Sequence, residues 1–144
     1  MHSADAPQVL ICGAGPAGLA LACALHDAGW RTGLLEQADE SDLAAPLDDG
    51  REIALTHRSR RLLEQLGLWA RLPEVTALKQ ATVQSAGSRV PLPFESKGQD
   101  LGWMVSNRHL RAAAFAGVQA RGVPLHCGRR VTGFTRDATQ ATLH

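Results

Sequence analysis

Val9-Leu10-Ile11-Cys12-Gly13-Ala14-Gly15-Pro16-Ala17-Gly18 decides the fold of this chain. Four apolar residues, three glycines at G-x-G-x-x-G spacing and an alanine- and leucine-rich run read as strand, tight turn and helix. Gly13 supplies the backbone freedom of the turn, Gly15 leaves room for a diphosphate against the main chain, and Gly18 lets the helix lie close to the strand. Around them Ala14, Pro16 and Ala17 complete a cradle in which a helix N-terminus points N–H groups and a positive dipole end at phosphate oxygens. The pattern is that of a dinucleotide site.

Working outward, the helix should run to about Ala28 with Gly29 just past its end, and Thr32-Gly33-Leu34-Leu35 should be a second strand ending at Glu36. An acidic residue about 20 positions beyond the glycines is the expected acceptor for ribose hydroxyls. Glu36, followed by Gln37, fills that place. Without this context the glycines would fit a plain turn in any α/β domain.

Length and composition narrow the class. A chain of 144 residues is long enough for one domain. With 20% charged residues and a formal net charge of +1, nothing electrostatic points to nucleic acid. Cys12, Cys23 and Cys127 form no C-x-x-C pair and sit in apolar contexts, so they are expected to be buried thiols in a reducing compartment. The six histidines are scattered without ligand spacing, and no metal site is expected. No stretch approaches the roughly 18 to 20 apolar residues of a membrane span. Met1 to Pro7 lacks the pattern of a signal peptide, so a cytoplasmic location is expected.

Downstream, Gln37 to Gly50 reads as a surface loop and Arg51 to Leu55 as extended chain. Thr56 caps a helix with Leu62, Leu63 and Leu66 on one face and Gly67 at its end. Arg58, Arg60 and Arg61 read as its solvated face, with an anion site as the alternative. Lys79 to Ala86 alternates apolar and polar residues, Gly87-Ser88 signals a turn, and Pro91 and Pro93 confine Val90 to Phe94 to a sheet edge. Trp103-Met104-Val105 is a further strand, and residues 76–106 read as an excursion into a second sheet that interrupts the βαβ order of 1–75 and 107–144. Ser106 or Asn107 caps a helix to about Arg121, packed through Leu110, Ala113, Ala114 and Val118 and stopped by Gly122. Val123 to Cys127 returns as a strand, and Val131 to Thr135 pairs antiparallel with Gln140 to Leu143. Because the chain stops inside that last run, it reads as the N-terminal portion of something longer.

With these elements placed, the sequence resembles the FAD-dependent aromatic-ring hydroxylases, and most closely the branch acting on ubiquinone precursors. The likeness rests on Gly13 to Gly18, Leu34-Leu35-Glu36-Gln37, Asp49-Gly50-Arg51-Glu52-Ile53-Ala54-Leu55 with Leu66-Gly67-Leu68-Trp69, and Leu101 to Leu110. It implies a Rossmann-like FAD-binding fold of the glutathione-reductase type, α/β, with a partial antiparallel β excursion from a substrate domain. It further implies that Gly13, Gly15 and Gly18 flank the FAD diphosphate, Glu36 takes the adenosine ribose, and the backbone near Val131 meets the adenine. Arg51 would lie against the flavin and Asn107 in the same shell. Their alternatives are a surface ion pair with Asp48 or Asp49 and a plain helix cap. Ser106 departs from the family, which has an acidic residue there, and the family's later Asp-Gly turn and Gly-Asp segment do not occur in this sequence.

The reaction that the resemblance implies uses NAD(P)H to reduce FAD and O2 to hydroxylate a phenolic or prenylated quinol ring. Such a substrate would suit peripheral contact with the inner face of the membrane or a ubiquinone-biosynthesis assembly, although no amphipathic anchor is visible. No residue stands out as a catalytic acid or base; Asp48 and Asp49 read as loop carboxylates, and His57 and His109 as helix-surface residues. Two other readings stay open, a non-catalytic nucleotide-binding fragment and an oxidoreductase that binds NAD directly. A disulfide reductase does not fit, for want of a cysteine pair.

Overall fold

A computed structural model describes residues 6–87 and 90–144. In chain order the elements are β1 (Val9–Cys12), α1 (Pro16–Asp27), β2 (Thr32–Leu35), α2 (Glu40–Ala44), β3 (Glu52–Leu55), α3 (His57–Gln65), β4 (Thr76–Leu78), β5 (Gln80–Val83), β6 (Leu92–Glu95), β7 (Gly102–Ser106), α4 (Asn107–Arg121), β8 (Leu125–His126), β9 (Phe134–Arg136) and β10 (Ala141–Leu143). They form two compact units, one of residues up to Leu47 with Arg111–His144, the other Asp48–Leu110.

The first unit is built on a parallel sheet of order β1-β2-β8. β1 and β2 run in register from Val9↔Thr32 to Cys12↔Leu35, and β2 pairs with β8 at Leu34↔Leu125 and Leu35↔His126. β1 is an unbroken apolar run, yet of Val9-Leu10-Ile11 only Ile11 is buried, and Leu10 on the other face is exposed. The core contains Ile11, Leu34 and Leu43, with Leu19, Ala22 and Cys23 of α1 and Ala113, Ala114, Phe115 and Val118 of α4. Leu19 and Leu34 are fully enclosed, and truncating either to alanine should cost roughly 2–5 kcal/mol. β9 and β10 form the expected antiparallel pair, in which Asp137 Oδ1 accepts from the N–H groups of Thr139 at 2.7 Å and Gln140 at 2.9 Å to close the turn.

The second unit carries the antiparallel excursion: a sheet of order β3-β7-β4 and a separate ribbon of β5 and β6. Pro93 stands opposite Thr82 in that two-stranded ribbon, where a missing N–H disrupts no central ladder. Thr56 caps α3, its Oγ1 accepting from Ser59 N at 3.2 Å, and Gly67 ends the turn beyond it with φ +67°. The second unit is bounded at Leu47/Asp48 and Leu110/Arg111, and within it β3 pairs with β7 from Glu52↔Ser106 to Leu55↔Trp103.

Several local expectations are corrected. The 37–50 loop contains the short helix α2. The 79–86 run begins as β5 at Gln80 and ends at Val83, and the 123–127 strand shortens to two residues because Pro124 lacks an N–H. The 131–135 run begins only at Phe134. Leu62 is half exposed while Leu63 and Leu66 are buried, so the α3 stripe is narrower than its spacing suggested. Arg60 is only partly solvated: it lies 4.4 Å from the Trp103 ring centroid and 5.0 Å from that of Trp69, and pairs with Glu64 at 2.7 Å. Of the cysteines only Cys23 is buried; Cys12, which lines an open pocket, is exposed and Cys127 half-buried. The turn at Gly87-Ser88 includes Ser88, which lies outside the described residues.

Candidate dinucleotide-binding site

In the first unit the three glycines do three different things. Gly13 turns the chain off β1 with φ +101°, a conformation that side chains disfavour. A Cβ on Gly18 would stand 2.1 Å from the Gly13 carbonyl oxygen, so α1 sits against the turn only because this residue has none. A Cβ on Gly15 would meet nothing within 4 Å, which leaves open space beside the main chain. Pro16 opens α1 where its missing N–H costs nothing, and no side chain caps that terminus. An uncapped helix start with room beside it suits phosphate oxygens.

Glu36 comes directly after β2 and is held from two sides. Its Oε2 accepts from Ala14 N at 2.6 Å and its Oε1 from Ala38 N at 2.9 Å. Burial works against its charge, but the N–H groups of Ala38, Ala14 and Gln37, with the charge of Arg111, outweigh it and keep the carboxyl ionised below its ordinary value. A carboxylate so fixed has lone pairs left for the hydroxyls of a sugar. Gly13, Glu36, Gln37 and Val131 all line one pocket of 460 Å³ beside these residues. A larger cavity, 530 Å³, opens around Pro7, Trp30 and Pro124 toward the other end of the sheet, away from the glycine turn.

Sequence reasoning missed other members of the smaller pocket: Cys12, Arg129, Arg130 and Thr132. The one local signal was Gly128, whose φ of +65° bends the chain after β8 so that Arg129 N donates to Glu36 O at 2.8 Å and Gly128 N to Ala38 O at 3.1 Å.

In the second unit, Arg51 and Asn107 meet on one carboxylate. Arg51 Nε donates to Asp49 Oδ2 at 2.7 Å, and Asn107 Nδ2 donates to the same oxygen at 2.8 Å. The Asp49 carboxyl is held far below its usual range, chiefly by the Arg51 guanidinium and backbone N–H. The surface ion pair left open for Arg51 is therefore formed, with Asp49 as partner, and its side chain is largely exposed. Asn107 is buried, and its N–H donates to Arg51 O at 2.8 Å as β7 passes into α4. Asp48 is paired as well, 3.9 Å from Arg108. Neither predicted surface histidine is a plain one. His57 Nε2 is 2.8 Å from Asp100 O and its ring meets Trp103 edge-on, while His109 Nδ1 is buried without a hydrogen-bond partner. No group of side chains able to hold a metal occurs among the described residues, and no described helix is long and apolar enough to cross a membrane.

A parallel sheet with a glycine turn and helix start after the first strand and a fixed carboxylate after the second defines a dinucleotide-binding fold. The chain belongs to the FAD binding domain family, whose model matches residues 6–143. It is similar to ubiquinone hydroxylase UbiM of Neisseria meningitidis serogroup C, 40% identical over 117 residues, or 75% of this chain and 25% of that protein. It is similar also to ubiquinone hydroxylase UbiL of Rhodospirillum rubrum, 37% identical over 110 residues, or 74% of this chain and 25% of that protein. The solved structure of OxyS anhydrotetracycline hydroxylase from Streptomyces rimosus matches 95% of this chain and 27% of its own, at 28% identity and a TM-score of 0.69. The chain thus spans about a quarter of the curated relatives' length. The likeness to ring hydroxylases read from sequence, and the FAD-binding α/β fold, are borne out.

Proposed function

We propose that the pocket of the first unit takes the ADP half of FAD, within a monooxygenase that hydroxylates a phenolic or quinol ring at the expense of NAD(P)H. The observation that carries this is the Glu36 carboxylate, fixed by Ala14 N and Ala38 N at the pocket that Gly13 lines. The chain's own residues fit the cofactor: open space at Gly15 admits a diphosphate, and Glu36 remains ionised to accept ribose hydroxyls. Gly13 to Gly18 hold the phosphates through main-chain N–H groups, Gln37 flanks the sugar, and the Val131 backbone bounds the base. Asn107 and Arg51, in the second unit, are proposed as further cofactor residues.

FAD when bound supplies the redox and oxygen chemistry. Glu36 and the helix start orient and anchor; they move no proton. Two relatives named ubiquinone hydroxylases, at 40% and 37% identity, favour a ubiquinone precursor as the ring. The test is purification of the protein in its full natural length, with flavin absorbance recorded and NAD(P)H consumption measured with and without a prenylated phenol. Flavin-coloured protein whose NAD(P)H consumption matches hydroxylated product is expected. Colourless protein, or consumption without product, would contradict the reading.

A further inference from the structure

The three parallel strands end level, at Cys12, Leu35 and His126. Neighbouring strands lie about 4.8 Å apart, so the segments just beyond their ends form a row: the glycine turn after β1, Glu36 after β2, and the Gly128–Thr132 segment after β8. The row is fastened by Gly13 N to Leu35 O at 2.8 Å, Glu36 N to His126 O at 3.0 Å and Arg129 N to Glu36 O at 2.8 Å. A nucleotide laid across it with its phosphates on the glycine turn and its ribose on Glu36 has its base over Arg129–Thr132. Arg129 and Arg130 are exposed and both line the pocket. Among the described residues neither guanidinium forms an ion pair; Glu36 is satisfied by backbone N–H groups and sees Arg111 as its charged neighbour. Two arginines without an ion pair among the described residues thus line the end of the pocket that a flat, uncharged base would occupy.

We infer that Arg129 and Arg130 form a guanidinium platform on which the adenine of the bound cofactor stacks, making this pair the element that selects an adenine dinucleotide over a flavin mononucleotide. The inference rests on the proposed FAD site. A guanidinium is planar and weakly hydrated, so it stacks on an aromatic ring face, while a lysine ammonium offers the same charge without the plane. Gly128 matters indirectly, because its left-handed turn lets Arg129 N reach Glu36 and fixes where the platform stands.

The test compares wild type, Arg129→Lys/Arg130→Lys, Arg129→Ala/Arg130→Ala and Glu36→Gln in the protein of full natural length. FAD, ADP and FMN are titrated at low and high salt, and thermal melts report folding. Both double variants should melt like wild type, since the two side chains are exposed. Both should bind FAD and ADP roughly tenfold more weakly, the scale of one lost stacking contact, at either salt concentration. FMN, which has no adenine, should be unaffected. If the lysine variant binds FAD and ADP as wild type does, or if FMN weakens in parallel, the platform is refuted. Wild type that binds no FAD, or Glu36→Gln that binds it unchanged, would instead refute the site on which the platform rests.

Discussion

The carboxylate of Glu36 accepts the N–H of Ala14 across 22 positions of sequence, at 2.6 Å, so the ends of β1 and β2 are tied by the group proposed to meet the ribose. Removing it should affect both stability and binding. Glu36→Ala should weaken FAD binding about tenfold or more, the scale of lost hydrogen bonds to a charged group, whereas Glu40→Ala should leave it nearly unchanged. Glu40 lies on α2 and does not line the pocket; Gln119 Nε2 donates to its Oε1 at 3.5 Å. Equal effects in a flavin-fluorescence titration would remove Glu36 from the site.

The same carboxylate predicts a pH dependence. Its folded value lies below the ordinary 4.5. A group depressed on folding stabilises fully above its unfolded value and loses that contribution as pH falls through the folded one. The stability gap between wild type and Glu36→Gln should therefore be constant from neutral pH down to about 4.5 and close at more acidic pH, as read from denaturant melts.

Gly18→Ala and Gly15→Ala should separate packing from binding. A Cβ at Gly18 meets the Gly13 carbonyl at 2.1 Å, so Gly18→Ala should cost about 1–3 kcal/mol. At Gly15 a Cβ meets nothing, so Gly15→Ala should melt close to wild type yet bind FAD more weakly. Thermal melts paired with FAD titrations read both.

This division was largely legible in the sequence, because glycine spacing and a following acid are local signals that report backbone geometry directly. The second unit was less so. Nothing near Glu52 announces that β3 pairs with β7, some 50 residues on, nor that Asn107 reaches Asp49 across 58 positions. Arg60 looked solvated because its neighbours in sequence are charged, while the indoles it covers come from Trp69 and Trp103. Arg129 and Arg130 were invisible as pocket residues because only the left-handed turn at Gly128 folds them back toward Glu36.

Asn107 and Arg51 should differ although they share Asp49. Asn107 is buried, and Asn107→Ala leaves the Asp49 carboxylate short of a donor and opens the start of α4, so it should lower the melting temperature. Arg51→Ala removes an exposed partner and should leave melting nearly unchanged while weakening FAD binding if Arg51 turns to the flavin. Unchanged FAD affinity would confine Arg51 to its ion pair.

The most direct test of the central claim is a crystal structure of the protein with FAD bound. The account predicts ribose hydroxyls within hydrogen-bonding distance of Glu36 and the diphosphate against the main chain of Gly13 to Gly18. A cofactor bound elsewhere, or a sugar that makes no contact with Glu36, would contradict it.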